Sequence, residues 1–220
     1  MTISTALPLP FEHVTTWVFD LDNTLYPSHV RLFDQIEVRM RDYVARTLRV
    51  DLAEADRLRA HYWRTHGTTL AGLMREHAID PNPFLDHVHD IDFSVLPRDA
   101  TLADRIARLP GRRIVYTNGT APYAARVLEA RGLSHLFDAL YGVEHAGYQP
   151  KPDAAAFDTV FTKDNLVPRR AAMFEDEPRN LQVPHELGMA TVLVAENRPR
   201  GEHIHHHTHD LSDFLAQIVD

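Results

Sequence analysis

An alternation constrains this chain more than any other feature. Short apolar, β-branched runs, TTWVFD, RRIVYTN, DALYGV, AAMFED and TVLVAE, each have the length of a buried strand. Amphipathic stretches with helical spacing separate them. APYAARVLEARGL carries Tyr123, Val127 and Leu128, with Gly132 placed as a stop. DAAAFDTVFTKD follows, and then RNLQVPHELGM, which closes at Gly188 and in which Pro184 demands a kink or a start just before it. Strands alternating with helices of this length predict a parallel sheet covered on both faces, a Rossmann-like three-layer α/β core.

The alternation breaks once. Between Pro27 and Pro97 there is no strand-like run. Phe33, Ile36, Met40, Val44 and Leu48 recur at three- and four-residue steps. Asp51 then opens DLAEADRLRAHYW with Glu54 three positions on, the spacing of a capping box. TTLAGLMREH and PNPFLDHVHD read as further short helices. The division predicted is an α/β core from residues 1–26 and 98–220, with an all-helical domain, residues 27–97, inserted after the first strand. An insert there overhangs the carboxyl end of that strand, where open α/β sheets bind ligands.

The 220 residues, 44% of them hydrophobic, suffice for one sizeable core with a small accessory unit. The formal net charge of -8 argues against a nucleic acid polymer or an anionic membrane as partner, but not against a small anionic substrate at a locally positive site. With no cysteine, disulfides, thiolate metal sites and cysteine nucleophiles are excluded. The start, MTISTALPLPFEH, lacks the basic and apolar segments of a signal peptide, and no apolar run approaches the ~20 residues of a membrane span. The expectation is a cytoplasmic protein. Its oligomeric state is not readable from sequence, a monomer being one option.

Polar groups collect at the carboxyl ends of the strands. Strand one ends in Asp20, with Asp22 two residues later and on the same side of an extended chain. RRIVYTNGT ends in Thr117, Asn118 and Gly119, a hydroxyl and main-chain amides at a helix start, where anions bind. YQPKPD fixes Lys151 between two prolines. MFEDEPRN ends in Glu175, Asp176 and Glu177. Each has an ordinary explanation: a DNT turn, a helix N-cap, a surface lysine, a solvated acidic turn. Together they make a different case. Carboxylates converging in one crevice require a cation, and oxygen-only donors suit Mg²⁺. A threonine, a lysine and helix-start amides beside them suit a phosphate.

This set, in this order, resembles the haloacid dehalogenase superfamily of phosphohydrolases. DLDNTLY matches its D-x-D-x-T motif, YTNG the second, PKP the lysine motif and FEDEPRN the acidic fourth. The resemblance spans nearly the whole chain, and the helical insert fits the family's C1 cap. A closer resemblance, to the pyrimidine 5'-nucleotidase branch, rests on DLDNTLYP, GTTLAGLM, HAIDPNPFLDHVHDID, LPGRRIVYTNG, EDEPRNL and HIHHHTHDL. Two departures are Glu177, where the fourth motif often has a small or hydroxyl residue, and Tyr123, where related sequences often carry histidine.

The resemblance implies a phosphoric monoester hydrolase. Asp20 is its nucleophile and forms an aspartyl-phosphate. Mg²⁺ binds Asp20, Asp176 and the Asp22 carbonyl, with Glu175 acting through water in the outer shell. Asp22 is the acid and base toward the leaving oxygen and the attacking water. Thr117, the Asn118 amide and Lys151 hold phosphoryl oxygens, and Lys151 also steadies Asp20 and Asp176. Dehalogenases of the superfamily typically lack the second aspartate, so Asp22 favours phosphate esters. The substrate expected is a small phosphorylated metabolite, with UMP and CMP leading. Alternatives are a phosphatase or phosphomutase acting on sugar phosphates or phosphoglycolate, and a catalytically silent binding or regulatory protein of the same fold. No G-x-S-x-G, H-E-x-x-H or P-loop pattern supports another hydrolase class.

Two groups remain. Arg39, Arg64, His66 and Arg75 could serve a substrate from the insert, but a solvated helix face is the favoured reading. His203, His205, His206, His207 and His209 could hold a transition metal, but polar packing at a sheet edge is favoured.

Overall fold

The computed structural model describes residues 11–220. The N-terminal segment that lacks signal-peptide character falls largely outside them. Strand β1 (Thr16–Phe19) leads into the helical stretch, α1 (Leu32–Leu48), α2 (Leu52–His66), α3 (Thr69–His77) and α4 (Pro81–Val88). The chain returns through α5 (Ala100–Arg108), β2 (Arg112–Tyr116), α6 (Ala121–Arg131), β3 (Ala139–Tyr141) and α7 (Ala154–Asp164). It closes with β4 (Ala171–Glu175), α8 (Gln182–Glu186), β5 (Ala190–Val194), β6 (His206–Thr208) and α9 (Leu211–Val219).

The strands form one parallel sheet in the order β3-β2-β1-β4-β5-β6. The chain builds outward from β1 on one side and then crosses to build outward from β4. The crevice outside the carboxyl ends of β1 and β4 is therefore the topological switch point, the preferred ligand position of such sheets.

Side-chain alternation explains the layers. Trp17 and Phe19 of β1 point to one face with Val115, Phe174 and Val192, under α5, α6 and α9. Val18 points to the other with Ile114, Tyr116, Met173 and Leu193, under α7 and α8. Phe19 and Phe174 stack at 4.7 Å, and the Trp17 indole N–H donates to the Pro110 carbonyl at 2.7 Å. Each such ring, fully buried, contributes roughly 1.5–3 kcal/mol.

The helices begin and end where the sequence punctuates them. Asp51 caps α2 by accepting from the Glu54 N–H. Thr120 caps α6, which stops at Gly132 in the left-handed region, φ 76°. The stretch around Pro184 starts α8 two residues before the proline, after a 3-10 turn over Pro178–Leu181. None of the described helices is long and apolar enough to cross a membrane.

Strand β6 has no apolar run to announce it. Its three residues pair with β5, Val192 opposite His206. His206 packs between Phe11 and Phe214, and the His207 ring meets the Ala195 carbonyl at 2.8 Å. The His205 ring lies against Thr191 and, at 3.2 Å, His185. The histidines thus finish the sheet edge with polar side chains.

Candidate active site

Asp20 continues the β1 ladder by one residue, its N–H donating to the Phe174 carbonyl at 2.9 Å. The Leu21 carbonyl then accepts from Thr24 and Leu25, and Asn23 adopts φ 55°, a left-handed value that asparagine tolerates. The turn reading of DNT is therefore right about the backbone. That turn presents Asp20 and Asp22 side by side at the switch point.

Lys151 is the centre of the site. It is 1% exposed, and its ammonium donates to Asp20 Oδ1 at 2.7 Å, Glu175 Oε2 at 2.5 Å and the Tyr116 carbonyl at 3.1 Å. The expectation of Asp20 and Asp176 as its partners is half met: Glu175 takes the second place. Glu175 ends β4 pointing inward beneath the sheet's mouth, while Asp176 lies past the strand end and accepts from the Asn23 amide at 3.2 Å. Asn118 holds the lysine loop through a reciprocal pair, accepting from Lys151 N–H at 2.8 Å and donating to its carbonyl at 3.2 Å. Buried Thr117 accepts the Gly119 N–H at 2.9 Å.

Asp20, Glu175 and Asp176 each bring a carboxylate oxygen within 4.8 Å of the others. Asp22 does not offer its side chain to that trio. Its Oδ1 accepts from Tyr26 at 2.7 Å and Tyr123 at 2.6 Å. Glu177 also stands apart, capping the turn after β4 and facing Arg179 at 3.8 Å.

Burial and charge set the protonation of these groups. Burial, then the Glu175 charge, pushes the Asp20 carboxyl up to about 8 against the pull of Lys151. Burial, then Glu175 and Asp20, holds Asp176 well above the usual carboxylate range. Asp22 is raised by burial and lowered in part by its two phenol donors. For Lys151, burial opposes the charge, but Asp20 and Glu175 outweigh it and keep the ammonium protonated.

Asp22, Asn118 and Gly119 line the core side of a cavity of about 520 Å³ between the core and α1–α4. Its walls are largely apolar, with Phe33, Ile36, Met40 and Phe84 among them, and Glu37, Asp56 and Arg59 add charge. Arg179 lies over the Trp63 ring at 3.8 Å and donates to the Trp63 and Gly67 carbonyls, both at 2.9 Å. The basic residues singled out in the insert are elsewhere. Arg39 pairs with Asp90 and donates to the His87 carbonyl at 2.8 Å, and His66 meets Glu76 at 2.7 Å. Arg64 and Arg75 are exposed.

Sequence reasoning missed Tyr26, Asn23, Trp63 and Arg179 as parts of this region. Tyr26 stands four residues after Asp22 across the turn, which was the available signal. Arg179 looked like an exposed residue of an acidic turn, and nothing local points it at α2.

Residues 14–188 match the family described as haloacid dehalogenase-like hydrolase. The chain is also similar to phosphate metabolism protein 8 of Saccharomyces cerevisiae, 25% identical over 207 residues, 85% of this chain. It spans 63% of that relative's length. Among solved structures, CbbY of Rhodobacter sphaeroides in complex with xylulose-1,5-bisphosphate is similar with a TM-score of 0.64, at 17% identity over 93% of this chain and 99% of that one. The HAD-hydrolase YfnB of Bacillus subtilis bound to magnesium gives 0.60 at 15% identity over 92% and 97%. At these identities the structural likenesses speak to fold alone.

Proposed function

The chain belongs to the haloacid dehalogenase-like hydrolases, and from that membership we propose that it is a cytoplasmic, Mg²⁺-dependent phosphatase that hydrolyses nucleoside 5'-monophosphates, pyrimidine nucleotides first. In this reading residues 27–97 are a cap over a catalytic core made of residues 1–26 and 98–220.

The observation that carries the reading is the buried ammonium of Lys151 between Asp20 and Glu175, with Asp176 beside them. Three carboxylates face one fixed cation, which leaves the cluster short of positive charge. The donors fit Mg²⁺: all are oxygens, and they converge. We assign Asp20, Asp176 and the Asp22 carbonyl to the metal, and Glu175 to Lys151. When bound, the ion neutralises charge between nucleophile and substrate and at the transferring phosphoryl group.

The rest is the work of side chains. A carboxylate oxygen of Asp20 attacks phosphorus as the bond to the 5'-oxygen breaks, leaving the phosphoryl group on Asp20. Asp22 gives its proton to the departing oxygen, then takes one from a water that attacks phosphorus and frees Asp20 with inorganic phosphate. Thr117, the Asn118 main-chain N–H and Lys151 hold the phosphoryl oxygens, Lys151 by exchanging one of its three acceptors, Asp20, Glu175 or the Tyr116 carbonyl, for one of them. A cavity with aromatic and aliphatic walls and charged groups among them suits a planar base better than a small hydrophilic acid such as phosphoglycolate.

The test is a panel of phosphate esters with Mg²⁺: UMP, CMP, purine monophosphates, sugar phosphates and phosphoglycolate. The pyrimidine monophosphates rank first if the reading is right. A flat ranking overturns the nucleotide assignment, and no phosphate release from any ester overturns the phosphatase. Phosphate migration without release identifies a mutase.

A further inference from the structure

The reaction needs Asp22 to carry a proton on one particular oxygen, and the structure contains a device for choosing it. Tyr26 and Tyr123 come from different elements, one at the exit from β1 and one in the first turn of α6. Both donate to the same atom, Asp22 Oδ1, at 2.7 and 2.6 Å. Both rings are 1% exposed. A carboxylate oxygen has two lone pairs, so two phenol donors saturate Oδ1. A proton carried by Asp22 therefore sits on Oδ2, and Asp22 lines the cavity.

Position Gly119 has no Cβ, and one built there would fall 2.7 Å from the Tyr123 ring, which therefore depends on the glycine to lie where it does. On its other side the Tyr123 ring stacks on His89, just after α4, at 4.3 Å and 7°. The plane of Tyr123 is thus set jointly by the core and by the helical insert.

We propose that Tyr26 and Tyr123 are positioning residues for proton transfer: they saturate Oδ1 of Asp22 and direct its exchangeable proton, on Oδ2, toward the leaving oxygen of the substrate. The proposal rests on the phosphatase reading. It extends that reading to two residues whose hydrogen bonds in the site go to the Asp22 side chain.

Leaving-group dependence tests it. A p-nitrophenolate leaves with little need of a proton, whereas an alkoxide needs one in the transition state. For wild type, Tyr26→Phe and Tyr123→Phe, kcat/KM is measured with Mg²⁺ on p-nitrophenyl phosphate and on β-glycerophosphate. Each variant is expected to lose about tenfold or more on the alkyl ester and less than about threefold on the aryl ester. Because the two esters are compared within one preparation, their ratio does not depend on how much of a variant is folded. Equal losses on both esters, or no loss on either, overturn the proposal and leave the phosphatase standing. No phosphate by the wild type from these two esters or from any ester of the panel above overturns the phosphatase reading, and the proposal with it.

Discussion

At the scale of single residues, the site is governed by how little water reaches it. Lys151 carries the only ammonium among the contacts of Asp20 and Glu175 described above, and its removal leaves those carboxylates facing each other in a buried setting. Lys151→Met is expected to lower phosphate release by about 100-fold or more. Without divalent cation it is also expected to destabilise the fold by about 3–5 kcal/mol in urea unfolding. His89 makes a prediction of opposite chemistry. Burial, and then Arg126, holds its imidazole down to about 4. Between its unfolded value near 6.5 and 4, the unfolded chain binds the extra proton and the folded chain does not, so stability falls as pH drops through that window. In His89→Gln the acid-side loss between pH 6.5 and 4 should be shallower than in wild type by up to about 3 kcal/mol, read from urea midpoints across pH. Asp20, Asp22, Thr117 and Asp176 were legible because each ends a strand or follows one, where polarity after an apolar run stands out, and Lys151 because two prolines frame it. Tyr123 and His89 were not, since an aromatic residue on a helix reads as core until its hydroxyl partner is seen.

Elements were legible where local chemistry sets them. Asp51 with Glu54, and Gly132 after Arg131, fix helix ends by hydrogen bonds made within a few residues. Strand β6 was not, because His206, His207 and Thr208 owe their extended pairing to β5 and to Phe11 and Phe214, remote in sequence. The packing of α2 on α3 has the same character. Gly72 lies against the fully buried Tyr62 ring, and a Cβ there would stand 2.2 Å from it. Gly72→Ala, a change that favours helix by propensity, is therefore expected to lower stability by about 1–3 kcal/mol. A thermal midpoint at or above wild type would show that the two helices can separate without loss.

Over the whole molecule, Arg131 ties both crossings between the helical stretch and the sheet to α6. Arg131, 3% exposed, donates to the Leu25 carbonyl at 3.2 Å where the chain leaves the sheet, to the Pro97 carbonyl where it returns, and to Asp99 at 2.8 Å. In the sequence it is an arginine in the last turn of a helix, an unremarkable surface position. Only the meeting of both crossings at α6 gives it its role. Arg131→Leu strands two main-chain carbonyls and is expected to cost about 2–4 kcal/mol. It should also raise protease cleavage within residues 27–97 before the rest of the chain is cut. The central claim, that Asp20 takes the phosphoryl group, is tested by acid-quenching the enzyme during turnover of p-nitrophenyl phosphate with Mg²⁺ and mapping the modified peptide by mass spectrometry. One phosphoryl group is expected on the peptide containing Asp20, and neither label nor phosphate release in Asp20→Asn. Phosphate release by Asp20→Asn at the wild-type rate, with the Asp20 peptide unmodified in wild type, would contradict it.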